Sequence, residues 1–140
     1  MGETTAVVDG ANVAYAERSD KGAPKVSNVV AMAEALKGLG HGFLVIIDAT
    51  VRHEVDDPEQ LEALLDDRSL RQAPAGTDAD YFILETAERF DAWVVSNDEF
   101  EGWDEEYPWI HDRRVPFMII DGEVELYDMK PGPAHRGEAG

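Results

Sequence analysis

The chain has 140 residues, enough for one domain with a proper core, and its 44% hydrophobic content is ordinary for a globular protein. It contains no cysteine, which excludes disulfide frameworks and thiolate metal sites, and no apolar run approaches the roughly 18 residues of a membrane span. Thirty acidic residues against twelve basic ones leave a net charge of −18, a surface that repels nucleic acid at long range.

That charge fits two sources equally, adaptation to high salt or an acidic proteome. Under either, a polyanionic partner needs metal ions or a local basic patch. The N-terminus lacks a signal pattern, so a soluble cytoplasmic protein is expected.

Residues 4–9 read as a buried strand that ends in Asp9, with Gly10 permitting a tight turn. Residues 10–24 read as a loop with at most one helical turn. Ser27 or Asn28 is placed to cap a helix from about Val29 to Leu39, stopped by Gly38 and Gly40. Phe43 to Asp48 is a second strand, too continuous in its apolar residues to be exposed. A polar connection over 49–57 carries Arg52 and His53. Asp57-Pro58-Glu59 is a helix start, and Leu61, Leu64 and Leu65 supply that helix's apolar face.

Leu70 to Ala73 predicts a short strand and Pro74-Ala75-Gly76 a turn. A helix follows from about Asp78 to Arg89, with Tyr81, Phe82, Leu84, Ala87 and Phe90 in its core. Ala92 to Ser96 is the next strand. Residues 98–114 are aromatic and acidic, and short helices are expected there. Val115 to Ile120 and Glu123 to Tyr127, joined by Asp121-Gly122, predict a hairpin with a type I′ turn. From residue 129 the apolar residues run out, which predicts a domain over 1–128 and a disordered tail over 129–140. Strands alternating with helices predict an α/β domain with a mainly parallel sheet.

Three of the strands run into aspartates, Asp9, Asp48 and Asp98. In open parallel sheets, sites form at the carboxyl ends of strands, so an acidic pocket is expected. Asp9, Asp78, Asp80 and Asp98 are four acids on three elements. Clustered carboxylates repel, and a cation among them relieves the repulsion. All-oxygen ligands suit magnesium or manganese. Asn12, just past Asp9, is placed to hydrogen-bond a phosphate oxygen. Each acid also has a structural reading: Asp9 closes a turn, Thr77-x-x-Asp80 matches a capping box, and Asp98 caps a following helix. Arg52, Arg71, Arg113 and Arg114 are candidate phosphate ligands, against surface ion pairs as the alternative, which is preferred for Arg68 and Arg89. His53 and His111 are isolated. Trp103, Tyr107 and Trp109 either stack bases or, the favoured reading, fix a loop-rich segment onto the sheet.

Val7-Val-Asp-Gly-Ala-Asn-Val13 resembles the opening motif of NYN-type PIN-like ribonucleases. Gly40-His41-Gly42, the strand after it and Thr50-Val51-Arg52 are similar to their second-strand region. Asp80-Tyr-Phe-Ile-Leu, then Asp91-Ala-Trp-Val-Val-Ser-Asn-Asp98, resembles their helix and fourth-strand motif. The nearest branch is the Zc3h12a-like (regnase) group, and the resemblance covers residues 5–128. It implies a PIN-like three-layer α/β/α sandwich and magnesium-dependent endonucleolytic cleavage of single-stranded RNA, with manganese as the alternative ion.

By motif match, Asp9 and Asp98 are implied as metal-site acids with Asn12 beside them, and Asp80 as the helix acid. The family often has two adjacent acids at that helix; here Ala79 precedes Asp80, and Asp78 is the candidate substitute. The family's further acid falls on Gly102, with Glu101 or Asp104 as replacements. Arg52 matches a basic position near the RNA path, joined by Arg113 or Arg114. Without cysteine there is no zinc finger. The reading is therefore a metal-dependent endoribonuclease using magnesium-activated water. Asp9, Asp80 and Asp98 hold the metal, Asp78 supports them and Asn12 orients. The alternatives are a PIN-like domain that binds RNA or protein without cutting, and a receiver-like signalling domain. Single-stranded RNA is the expected partner, no membrane is involved, and a homodimer is left open.

Overall fold

A computed structural model describes residues 4–17, 21–66 and 69–129. Among them, the central sheet has five strands: β1 (Thr4–Asp9), β2 (Gly42–Ile47), β3 (Leu70–Gln72), β4 (Trp93–Val95) and β5 (Arg114–Val115). Their order is β3-β2-β1-β4-β5, and every pairing is parallel. The expected mainly parallel α/β domain is therefore observed. The tail expected over 129–140 lies outside the described residues except for Met129.

Residue parity explains the layers. Successive side chains of a strand face opposite sides. Ala6 and Val8, Val45 and Ile47, and Trp93 and Val95 pack into one cluster with α1 (Gly10–Ala14), α2 (Val26–Gly38) and α4 (Pro58–Asp66). Val7, Leu44, Ile46 and Val94 face the other way, against Ile83, Leu84 and Ala87 of α5 (Ala79–Phe90). Both faces are covered, which is why the strands read as unbroken apolar runs. Phe100, Tyr107 and Ile110 join the α5 side, so the aromatic segment does fix a loop-rich stretch onto the sheet.

Several expectations are corrected. The second helix starts at Val26, three residues early, because its cap is remote: Asp56 Oδ1 accepts from the Val26 N–H at 3.0 Å. Asn28 instead lies buried inside it and donates Nδ2 to the carbonyls of Ala14 (3.0 Å) and Glu17 (2.8 Å). The polar connection after β2 holds a helix, α3 (Ala49–Glu54), capped by Asp48, whose Oδ1 accepts from Val51 N at 2.9 Å. Tyr81 and Phe90 are exposed, since the buried stripe of α5 falls on Ile83, Leu84 and Ala87.

Residues 98–109 contain turns but no helix, and the segment's one helix is the single turn α6 (Ile110–Arg113). The last long strand is broken at Pro116. Its first part is β5 in the main sheet, and its second is β6 (Phe117–Ile120), paired antiparallel with β7 (Glu123–Leu126). Asp121 and Gly122 both have positive φ, 51° and 79°, as a type I′ turn requires.

Gly10 is needed for a reason other than turn flexibility. It opens α1 directly over the end of β2, and a Cβ there would lie 2.5 Å from Ile47 Cγ2 and 2.6 Å from the Ile46 carbonyl oxygen. Backbone cannot yield as a side-chain tip can. Gly10→Ala should therefore destabilise the protein by about 2 kcal/mol in denaturant unfolding. Gly38→Ala, which meets open space in α2, should be neutral or slightly stabilising. Equal effects at the two positions would refute the close-approach account.

Candidate active site

The chain order places the site. From β1 the chain moves to β2 and β3 on one side, then returns to β4 and β5 on the other. The order reverses between β1 and β4, and a crevice opens beyond the carboxyl ends of strands at such a point. The cleft found there is about 460 Å³ and is lined by Asp9, Asp48, Asp80 and Asp98 together with Asn12, Asn97 and Tyr15.

Asp9 forms its floor and is only 7% exposed. One carboxylate oxygen caps α1 by accepting from Asn12 N at 3.3 Å; the other accepts from Ser96 Oγ at 2.8 Å. Burial pushes the Asp9 pKa up, and Asp98 and Asp48 push it the same way, while the Ser96 and Asn12 hydrogen bonds oppose them. Ser96 is fully buried, and its hydroxyl also accepts from Asp98 N at 3.0 Å. Asp98 Oδ1 accepts from Phe100 N at 2.7 Å, so this acid closes a loop turn where a helix cap was expected.

Asp80 enters from the first turn of α5. Its pKa is raised to about 6, first by burial and then by Asp98, Asp9 and Asp78. The capping box at Thr77 does not form. Asp78 is the cap, accepting from Asp80 N at 2.9 Å, which leaves the Asp80 carboxylate to the cleft. Asp78 itself is exposed and does not line the cleft, so its influence there is through charge alone. Asp48 does line it, completing the prediction that strand-end aspartates converge.

The asparagines frame the acids. Asn12 Oδ1 accepts from Asn97 N at 2.8 Å, which leaves the Asn12 amide NH₂ as its free end. Asn97 in turn accepts from Phe117 N at 2.9 Å and donates Nδ2 to Phe117 O at 3.0 Å. Sequence reasoning passed over Ser96 and Asn97. The parallel register offered a signal: Val8 lies opposite Val95, so the next residues, Asp9 and Ser96, are neighbours.

The arginines separate. Arg114 NH1 donates to the Ser96 carbonyl at 3.2 Å and so stands beside the site. Arg52 is not brought to the cleft; it binds Glu62 (2.7 Å) and Gln72 (2.9 Å) in a separate hollow. Arg113 is buried against the Trp109 ring and 3.5 Å from Asp91, the residue between α5 and the start of β4, at the opposite edge of the sheet. Gly102 has φ of 88°, a conformation an aspartate adopts only with strain, and neither it nor Glu101 or Asp104 lines the cleft. Asp104 lies 3.5 Å from His111.

Among the described residues, no three acidic or histidine side chains close on one point as a ready-made metal cage. The donor chemistry nonetheless suits a hydrated hard cation. The cleft offers carboxylate oxygens from separate elements, and burial, followed by mutual repulsion, raises the pKa of Asp9 and Asp80. Magnesium retains several waters and needs few direct protein ligands.

Comparison with known proteins agrees with this architecture. The family described as "Zc3h12a-like Ribonuclease NYN domain" matches residues 2–135. Two solved structures of nuclear proteinaceous RNase P 2 (PRORP2) from A. thaliana share the fold, each with a TM-score of 0.72. They are 21% and 20% identical over 95% and 94% of this chain, which spans 31% of the length of either one. No curated protein matches.

The raised Asp80 pKa has a thermodynamic sign. A carboxyl that binds its proton more tightly when folded loses stability as pH rises from its ordinary value, 3.8, through about 6. In EDTA at pH 7.5, Asp80→Asn should raise the melting temperature by about 2–4 °C. The gain should vanish near pH 4, where both side chains are neutral. A gain of equal size at both pH values would refute the electrostatic origin.

Proposed function

Because the chain belongs to the Zc3h12a-like ribonuclease NYN domain family, we propose that it is a magnesium-dependent endoribonuclease acting on single-stranded RNA at the carboxylate cleft. The observation that carries this reading is the convergence of Asp9, Asp48, Asp80 and Asp98, from four places in the chain, on one cleft at the sheet's switch point.

Asp9, Asp80 and Asp98 would hold the ion, with Asp48 beside them and Asp78 adding charge from outside. Magnesium, or manganese in its place, would supply charge neutralisation and activation of water. The chain's own groups do the rest. Asn12, with its carbonyl engaged by Asn97, presents its NH₂ to a phosphate oxygen. Arg114 spends one donor on Ser96 and has others left for the backbone of the strand. Ser96 donates to Asp9, which favours its charged form against burial, and orders the turn that carries Asp98. Attack of water in line with the 3′-oxygen breaks the P–O3′ bond and leaves a 5′-phosphate and a 3′-hydroxyl. Nothing in an acid-lined cleft demands the 2′-hydroxyl, so single-stranded DNA is a meaningful competitor.

A second reading, a domain of this family that binds RNA without cutting, draws on Gly102, where the backbone disfavours the acid the family carries. One assay separates the two. Labelled single-stranded RNA should be cut with magnesium or manganese and left intact in EDTA. Asp9→Asn should lower the rate by more than about 100-fold, beyond the roughly 10–100-fold typical of losing a supporting group. The variant should stay folded, because the asparagine oxygen can still accept from Asn12 N while its NH₂ donates to the Ser96 hydroxyl, reversing that bond. Metal-independent cutting, or full activity in the variant, would overturn the assignment.

A further inference from the structure

We propose that the cleft between β3 and α5 is a second contact site for the RNA strand, where Arg71 and Arg89 bind backbone phosphate and Phe90 stacks a base. The inference rests on the reading of the protein as RNA-binding and adds a surface remote from the carboxylates.

The argument begins with where a chain of net charge −18 can receive a polyanion at all. Of the described arginines, Arg52 is tied to Glu62 and Gln72, Arg113 to Asp91, and Arg114 to the Ser96 carbonyl. Arg71 and Arg89 make no hydrogen bond or ion pair among the described residues, and both line one hollow of about 170 Å³. Arg89, expected to sit in a surface ion pair, makes none among the described residues. Its natural partner four residues earlier, Glu85, is instead held by the Tyr107 hydroxyl at 2.6 Å. The Glu85 carboxylate also borders the hollow, so the site works by the excess of two guanidinium groups over one occupied acid.

Register and helical period build the site. Arg71 pairs with Ile46, whose side chain packs on the α5 face, so Arg71 is directed to that face too. Phe82, Glu85, Thr86, Arg89 and Phe90 recur along one stripe of α5 beside the buried one. Phe90 closes that helix and is 39% exposed, an apolar ring beside two cations. Planar guanidinium groups fork onto phosphate oxygens, and an exposed ring next to them suits a base. α5 also links the two clefts. Asp80 in its first turn lines the carboxylate cleft, and Arg89 lies nine residues on, about 13 Å along the axis. Asp80 and Arg89 lie half a turn apart round the helix, so a strand leaving the carboxylates reaches the second cleft by crossing over α5.

The test is fluorescence anisotropy of a labelled single-stranded RNA long enough to reach both clefts, in EDTA across a salt series. Binding read this way does not depend on cleavage. The double variant Arg71→Ala/Arg89→Ala should bind about tenfold more weakly or worse. Its slope of log affinity against log salt should fall by about 1.4, the share of two phosphate contacts on a single strand. Phe90→Ala should weaken binding by at least about fivefold with the slope unchanged. Lys21→Ala/Lys37→Ala removes the same charge elsewhere and should change neither quantity. These residues are exposed, so melting temperatures should hold.

Wild-type affinity and slope in the arginine double variant would overturn the proposal, and metal-dependent cutting by that same variant would leave the nuclease reading standing. Weakened binding by the double variant in a protein that cuts nothing would support the site and count against cleavage. Displacement of the RNA by polyglutamate at equal charge concentration would overturn the RNA assignment in favour of an acidic protein ligand.

Discussion

The hydrogen bond from Ser96 to Asp9 governs the carboxyl end of the sheet. It joins the central strand to its neighbour across the point where strand order reverses. Asp9 is a carboxylate in a place that disfavours charge, with two further acids raising its pKa. Donors aimed at the charged form are the means by which a protein keeps such a group ionised. Here there are two, a hydroxyl from β4 and the backbone N–H of α1. The same hydroxyl accepts from Asp98 N, so one buried atom both favours the charged form of Asp9 and orders the turn that carries Asp98.

Around that contact the frame is neutral. Asn12 grips Asn97, and Asn97 grips both backbone polar groups of Phe117. Three segments at this end of the sheet, α1, the turn after β4 and the start of the β6–β7 hairpin, are thus tied together by these contacts without an ion pair. Gly10 lets α1 sit directly on β2, and this seats the clamp at the right height. The acids at the rim repel one another, while the frame that holds them is indifferent to their charge.

The sheet was legible in the sequence because strands buried on both faces leave unbroken apolar runs ending in aspartate. The expectation of an acidic pocket at Asp9, Asp48 and Asp98 followed from those strand ends, and Asp80 was offered by the start of the helix before β4. What was not legible depended on partners far along the chain. No local rule connects Asp56 to the first turn of α2, or explains that Asn28 serves the carbonyls of Ala14 and Glu17 instead of capping a helix. Asp48 reads as a strand end, yet it also starts α3, a helix too short and polar for its period to show. The arginines were hardest. Whether a guanidinium is free depends on which acid stands beside it, and Arg52 and Arg89 came out opposite to their sequence reading. Ser96 and Asn97 look like ordinary loop residues until the parallel register sets them against Asp9 and Asn12.

The separation of frame from charge has an evolutionary consequence. Asparagine at position 9, 80 or 98 would remove a carboxylate from the cleft without touching the asparagine clamp or the packing of Gly10. A lineage can therefore lose the acidity of this cleft by single substitutions that selection for folding does not oppose. The domain would survive as a scaffold of unchanged shape, free to drift toward some other use. Loss in the opposite order is opposed, because replacing Gly10 costs the fold stability whatever the acids in the cleft do.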